Sequence, residues 1–183
     1  MKGLMILANG FEDTEALATL DVLRRAKLEV DTVSVTETKR ILTQSNIYIE
    51  TDKLLSEVDY SSYDFLVVPG GKAVFSVLDK IDEVSNVITH FVNENKLATF
   101  ICAAPHLVGK LGLLKDKNYT CFPNCNDRII GGTYLNNSSL VVDKNIITCR
   151  SMAYSIDFGL AIIEHLLGKN QKEIVERSIK GLA

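Results

Sequence analysis

Two short apolar runs that end abruptly in a turn constrain this chain most strongly. Phe65–Val68 is apolar at every position and stops at Pro69-Gly70-Gly71, and Ala98–Ile101, with one threonine, runs directly into Cys102. Strands that are apolar along their length are typical of parallel sheets covered on both faces. Parallel neighbours need crossover connections, which are usually helices. The runs therefore predict an α/β fold.

Further strands and amphipathic helices alternate with these two runs. Asp13–Ala26 repeats apolar residues at three- and four-residue steps and places Arg24 and Arg25 near the end of the helix, where cations are favoured. The other predicted strands are Leu4–Leu7, Val30–Val35, Ile47–Ile49 and the hairpin of Ser139–Val142 with Ile146–Cys149. The other predicted helices lie near Val74–Leu78, Val84–Glu94, Pro105–Leu114, Tyr154–Leu167 and Glu173–Leu182. This order predicts a sandwich with a mostly parallel central sheet, in one domain over residues 1–183.

Composition excludes several classes of function. Hydrophobic residues make up 46%, which is enough for a full core, and 20 Lys and Arg against 23 Asp and Glu give a net charge of −3. The chain has no excess of positive charge with which to bind phosphate groups, so we expect no nucleic-acid partner. No apolar run approaches the roughly 20 residues that span a bilayer, and the start of the chain lacks a signal peptide's apolar region. With four cysteines and no disulfide framework, we expect a cytoplasmic protein without a membrane partner.

Three loops follow the strands that end at Leu7, Val68 and Ile101, and in a parallel sheet such loops meet at one edge. One of them contains Cys102, between a strand and a predicted helix. A helix N-terminus lowers the pKa of a nearby thiol, so this position is that of an activated nucleophile on a sharp elbow. The alternative is a buried structural cysteine.

The other two loops supply glycines and carboxylates. Gly70 and Gly71 would let the backbone approach a substrate and aim an N–H at a developing oxyanion, although they would also suit an ordinary turn. Glu12, Asp13 and Glu15 lie at the start of a helix, where carboxylates are favoured by the dipole alone. Glu15 is best placed to turn toward the thiol as a general acid and base, with Glu12 left open.

The remaining thiols and the histidines are weaker candidates. His106 lies one helical turn after Cys102 and is expected to point away from the sulfur, while His90 and His165 suit packing or surface roles. Cys121, predicted in a strand, and Cys125 form a poor zinc signature, so neither a metal nor a cofactor is expected. Cys102 alone has a helix terminus and an acid nearby, so we predict that it has the largest thiolate fraction and oxidises first, ahead of the other thiols including Cys149.

Four segments together resemble the ThiJ/PfpI superfamily, and within it the small single-domain branch. They are Leu7–Glu15, Val67–Gly71, Ile101–Pro105 and Thr148–Ser151, and the resemblance extends over nearly the whole chain. It implies a flavodoxin-like three-layer sandwich, usually a homodimer. It also implies Cys102 as nucleophile, Glu15 as the buried carboxyl partner of its thiol, and the backbone amides of Gly71 and Ala103 as an oxyanion hole.

The activity implied by this resemblance is that of a cofactor-independent glyoxalase or deglycase. Its substrates would be small carbonyl compounds, namely methylglyoxal, glyoxal and their adducts. The main alternative is an oxidative-stress sensor or chaperone in which Cys102 oxidises to a sulfinate. A flavodoxin-like nucleotide carrier is disfavoured because no phosphate-binding loop follows Leu7.

Three positions depart from the pattern of the superfamily. Phe122 stands where the branch often has a histidine, Ala103 stands where protease-like relatives have one, and Met152-Ala153 replaces a Gly-Pro pair. These departures disfavour a histidine-assisted route and a Cys–His peptidase, and they predict an altered substrate preference. The further candidates for lining the substrate pocket are Gly70, His106, Phe122, Arg150 and Ser151.

Overall fold

The computed structural model describes residues 1–182 and is built around a seven-stranded sheet. Its strands are β1 (Lys2–Leu7), β2 (Glu29–Ser34), β3 (Arg40–Leu42), β4 (Tyr48–Glu50), β5 (Lys53–Leu54), β6 (Phe65–Val68), β7 (Leu97–Ile101), β8 (Asn118–Tyr119), β9 (Thr133–Tyr134), β10 (Leu140–Asp143) and β11 (Ile146–Cys149). Its α-helices are α1 (Asp13–Arg25), α2 (Ala73–Ser76), α3 (Asp82–Asn93), α4 (Pro105–Lys110), α5 (Ser155–Leu167) and α6 (Lys169–Ile179).

The strand order in the large sheet is β10-β11-β7-β6-β1-β2-β5. All neighbours in it are parallel except the β10–β11 hairpin, while β3 pairs with β4 and β8 with β9 outside it. Helices α1, α5 and α6 pack together on one face, and α3 and α4 pack together on the other. The predicted α/β fold, a three-layer sandwich with a mostly parallel central sheet, is confirmed.

The central strands form the core, as their apolar sequences predict. Every residue of β6 and β7 is buried, and the register aligns Met5 of β1 with Val67 of β6 and Val67 with Thr99 of β7. These three strands therefore end at one edge of the sheet. The loops that follow Leu7, Val68 and Ile101 meet there, and they carry the candidate site.

Two details of the prediction are wrong. The helix that begins at Pro105 ends at Lys110 rather than Leu114, because Gly112 adopts a left-handed φ of 73°. The N–H groups of Gly112 and Leu113 then bond back to the carbonyls of Gly109 and Val108, which is a Schellman closure. Cys121 lies outside a strand, since β8 ends at Tyr119.

Candidate active site

Cys102 lies on the sharp turn between β7 and α4. Its φ is 64°, an uncommon value for a residue other than glycine. Two hydrogen bonds hold this backbone: the N–H of Cys102 donates to the carbonyl of Cys149, and its carbonyl accepts from the N–H of Phe122, both at 2.8 Å. The side chain is partly exposed. The strained turn therefore presents the sulfur above the carboxyl edge of the sheet.

Glu15 is the acid that reaches the thiol. Its side chain is 1% exposed, its Oε2 accepts the N–H of Gly70 at 2.8 Å, and its other oxygen is buried without a hydrogen-bond partner. The side chain of Glu12 is instead engaged as the N-cap of α1, where its Oε2 accepts the N–H of Glu15 at 2.7 Å. The structure thus separates the two carboxylates that the sequence left open.

Burial sets the electrostatics of the pair. It raises the pKa of Glu15 to about 7, although the neighbouring Cys102 thiol and the N–H of Gly70, which donates to Oε2, offset part of the rise. Burial and then the negative charge of Glu15 raise the pKa of the Cys102 thiol above its ordinary value of 9.0. The predicted lowering of this thiol pKa is therefore wrong. The sequence argument counted the helix terminus, but α4 begins only at Pro105, and desolvation and the carboxylate outweigh it.

Two backbone N–H groups oppose that rise. Those of Gly71 and Ala103 hydrogen-bond the sulfur of Cys102 and lower its pKa. Gly71 has a φ of 91°, and a Cβ atom there would lie 2.4 Å from the backbone nitrogen of Glu12. A Cβ atom on Gly70 would lie 2.7 Å from both the Cβ of Cys102 and Oε2 of Glu15. Only glycines let this loop approach the pair so closely.

A cavity of about 360 Å³ opens above the thiol. Of the pocket residues predicted from the sequence, Phe122 and Ser151 line it, whereas Gly70, His106 and Arg150 do not. Its lining residues are Glu12, Glu15, Gln44, Gly71, Lys72, Phe75, Cys102, Ala103, Phe122, Ser151 and Met152. Sequence reasoning missed Gln44, Lys72 and Phe75. Gln44 arrives from the β3–β4 hairpin, and its side-chain oxygen accepts the N–H of Lys72 at 3.0 Å, a long-range contact without a local sequence signal.

His106 is buried beside a neighbouring cavity of about 320 Å³. Its Nε2 lies 3.2 Å from Oδ1 of Asp79, which also contacts Lys110 at 2.8 Å. The ring of His106 packs 4.9 Å from that of Phe75, the one side chain shared by the linings of the two cavities. The histidine is therefore bonded to Asp79, beside the cavity that holds Cys102 and outside its lining.

No helix within residues 1–182 is long and apolar enough to cross a membrane.

The family model described as "DJ-1/PfpI family" matches residues 1–165. The chain is 30% identical over 180 residues to Protein dj-1beta of Drosophila melanogaster, covering 98% of this chain and 95% of that protein. It is 33% identical over 169 residues to Protein DJ-1 homolog B of Arabidopsis thaliana, covering 92% of this chain but only 38% of that longer protein.

Solved structures give the same relationship. The crystal structure of Drosophila melanogaster DJ-1beta superposes with a TM-score of 0.92 at 28% identity, covering 100% of this chain and 98% of that one. The structure of Toxoplasma gondii DJ-1, described as oxidized, superposes with a TM-score of 0.86 at 27% identity and the same coverage.

Proposed function

Because this chain belongs to the DJ-1/PfpI family, we propose that it is a cofactor-independent enzyme that converts small carbonyl compounds into hydroxy acids. Its substrates are methylglyoxal, glyoxal and their adducts. One observation carries the proposal: the buried carboxyl group of Glu15 lines the same cavity as Cys102 and raises the pKa of its thiol, while the backbone N–H groups of Gly71 and Ala103 lower that pKa. A nucleophile, a proton carrier and an oxyanion site thus meet in one cavity.

The first step is addition of the thiol to the aldehyde. The carboxylate of Glu15 takes the thiol proton, and the sulfur of Cys102 forms a bond to the aldehyde carbon. The carbonyl oxygen gains the negative charge, which the N–H groups of Gly71 and Ala103 stabilise. Return of the proton from Glu15 to that oxygen gives a hemithioacetal.

The second step moves hydrogen within the substrate. The carboxylate of Glu15 removes the proton from the former aldehyde carbon, giving an enediolate, and delivers it to the adjacent carbon, while the proton of the hemithioacetal hydroxyl passes to the neighbouring oxygen. This leaves a thioester on Cys102. Water then hydrolyses the thioester and releases the hydroxy acid with the free thiol. The rearrangement is internal to the substrate and consumes no oxidant or reductant.

A second function is favoured by the partial exposure of Cys102. Two peroxide molecules that enter the cavity in turn would oxidise this sulfur to the sulfenic acid and then to the sulfinate, each peroxide leaving as water, and protonated Glu15 would donate a hydrogen bond to the sulfinate. The relative from Toxoplasma gondii is described as oxidized. In this reading the same pair of residues senses oxidative stress.

We also propose that the chain acts as one domain and assembles as a homodimer. Leu17 on α1, Ile156 on α5 and Met152 between β11 and α5 are 44–50% exposed, and α1 packs against α5. Because α1 packs on α5 and Met152 lines the Cys102 cavity, we infer that these three side chains form an apolar patch beside that cavity. Four free thiols suit a reducing compartment such as the cytoplasm.

The test is to incubate the protein with methylglyoxal and to measure lactate. We expect Cys102→Ser to abolish turnover without unfolding the protein, because a serine hydroxyl is a much weaker nucleophile at neutral pH. Cys125→Ser, which changes a partly buried loop thiol in the same way, should retain full activity. Turnover in Cys102→Ser, or no lactate from the wild type, would refute the enzymatic proposal.

A further inference from the structure

Cys149 is a buried thiol beside the site that the proposed reaction does not use. It is the last residue of β11, its side chain is 0% exposed, and its strand partner is Ile101, the residue before Cys102. The carbonyl of Cys149 accepts the N–H of Cys102 at 2.8 Å. The two cysteines are therefore direct backbone neighbours across the strand pair.

This neighbourhood lies within the range of a disulfide. Adjacent strands are separated by about 4.8 Å and successive residues by about 3.3 Å, so Cys102, one residue beyond the strand partner of Cys149, should have its Cα about 6 Å from that of Cys149. A disulfide needs Cα atoms about 4.4–6.8 Å apart. The segment after Cys149 is a short 3-10 turn, Met152–Tyr154, in which Met152 and Ala153 are exposed. To reach Cys102, the sulfur of Cys149 must leave the carbonyl of Tyr154 in this turn, which it contacts at 3.8 Å.

The electrostatic surroundings of the two thiols match. Burial raises the pKa of Cys149 to about 12, and the backbone N–H groups of Ser151 and Arg150 offset part of that rise, as those of Gly71 and Ala103 do for Cys102. The charge of Glu15 acts on both thiols. That negative charge raises the pKa of both thiols, so each stays protonated until a base removes its proton, and Glu15 is the carboxylate that acts on both.

We propose that Cys149 is a resolving cysteine, which forms a disulfide with Cys102 after a peroxide has oxidised Cys102 to the sulfenic acid. In the first reaction the Cys102 thiolate attacks one peroxide oxygen, the O–O bond breaks, and the released hydroxide takes up a proton to become water. In the second, Cys149 gives its proton to the carboxylate of Glu15 and its sulfur attacks Cys102 Sγ. The S–O bond breaks, and the leaving hydroxide takes the proton from Glu15 as water.

The bond would limit further oxidation at Cys102. The disulfide competes with formation of the irreversible sulfinate, and an external thiol can reduce it back to two thiols. The inference rests on oxidation at Cys102 and is independent of carbonyl turnover. It gives the fold a reversible oxidised state in addition to the sulfinate.

Digestion with trypsin places Cys102 and Cys149 in separate peptides, which the test uses. Cleavage after Lys and Arg places Cys102 in residues 97–110, Cys149 in residues 145–150, and Cys121 with Cys125 in residues 118–128. The wild-type protein is treated briefly with equimolar hydrogen peroxide, its free thiols are blocked, and the digest is analysed by mass spectrometry without reduction. We expect a linked peptide of residues 97–110 and 145–150, which disappears after treatment with dithiothreitol.

Variants separate this inference from the proposed function. Cys149→Ser is nearly isosteric and keeps a donor toward the carbonyl of Tyr154, which Cys149 Sγ contacts at 3.8 Å. It should lose the linked peptide and accumulate sulfinate at Cys102 several-fold faster, while lactate formation stays unchanged. Cys121→Ser, another buried thiol, should behave as the wild type. The inference is overturned if the wild type forms no 97–110/145–150 link, or if sulfinate accumulates equally fast in the wild type and Cys149→Ser.

Discussion

Glu15 and Cys102 control each other's protonation. The pKa of Glu15 is raised to about 7 and that of the thiol above its ordinary 9.0, so between these values the pair holds one proton and one negative charge. A thiolate then forms by transfer of the remaining proton from sulfur to carboxylate. Residue types and loop positions selected Cys102 from the sequence but left Glu12 and Glu15 open, and only the family resemblance pointed to Glu15. The direction of the thiol pKa was not predictable, because it depends on desolvation by residues distant in the chain.

The pH dependence of turnover should report this pair. Below pH about 7 both groups are protonated and no base is available, so kcat/KM should fall about tenfold per pH unit and should be level above that pH. Glu15→Gln should lose most activity together with the inflection. Glu12→Gln, which changes the capping carboxylate, should keep both the activity and the inflection in its pH profile. If Glu12→Gln loses the inflection and Glu15→Gln keeps it, the general acid and base is Glu12 rather than Glu15.

The same raised pKa predicts how stability varies with pH. The folded protein binds the Glu15 proton more tightly than the unfolded chain, where the pKa is 4.5, so the free energy of unfolding falls as pH rises between these values. The loss amounts to about 3 kcal/mol between pH 4 and 8. Urea unfolding of the wild type and Glu15→Gln at both pH values should show this difference. If the free energy of unfolding changes with pH equally in the wild type and in Glu15→Gln, this prediction is contradicted.

His106 should matter for stability rather than for turnover. It is buried, bonded to Asp79 and packed on Phe75, outside the cavity that holds Cys102. Replacement by Ala leaves a cavity and removes a hydrogen bond, which should cost about 2 kcal/mol. Denaturant unfolding measures that cost, and lactate formation should stay near the wild-type rate. A loss as deep as that of Cys102→Ser would indicate a Cys–His mechanism.

At the scale of the element, the turn after β6 can bring its backbone close to the Cys102 site because its glycines have no Cβ atom and other backbone atoms pack directly against them. A Cβ on Gly71 would meet Glu12 N at 2.4 Å and Gly10 O at 2.7 Å, so Gly71→Ala must displace the N–H that faces the sulfur. We expect loss of most turnover and clear destabilisation. Gly112→Ala is the matched control, since its φ is also positive but nothing lies within 4 Å. It should cost about 1–2 kcal/mol and keep activity. Equal effects of Gly71→Ala and Gly112→Ala on turnover would show that the close approach of backbone atoms at Gly71 is unimportant for the reaction.

Elements with a strong periodic pattern were predicted to within a few residues, and short ones were not. Strands β3, β5, β8 and β9 have only two or three residues, and their existence depends on partners elsewhere, such as Val33 for Lys53 in β5. Cys121 follows Tyr119-Thr120, a β-favouring pair, but the chain leaves β8 there and Phe122 bonds to Cys102 instead. Tertiary contact decides such segments, because local propensity is too weak.

At the scale of the whole molecule, the apolar patch of Leu17, Met152 and Ile156 connects two helices of one layer to the mouth of the cavity. Thr19 Oγ1 donates to the carbonyl of Ser155 at 3.4 Å, and Val22 packs where a side chain on Gly159 would lie. These contacts fix α1 against α5, so the patch is rigid. A rigid apolar surface of this kind suits a partner that presents the same surface, as in a two-fold dimer.

The dimer prediction follows from that patch. Wild-type protein should sediment as a dimer, and Leu17→Glu or Ile156→Glu should shift it to a monomer, because a carboxylate at the centre of an apolar interface loses its water without gaining a partner. A penalty of about 3 kcal/mol would raise the dimer Kd about 100-fold. Ile174→Glu is the matched control: Ile174 lies on α6 and is 59% exposed, outside the patch, so this variant should remain dimeric. Analytical ultracentrifugation across a concentration series measures the shift. A wild-type monomer would refute the dimer, and a dimer that survives both patch variants would place the interface on another face of the molecule.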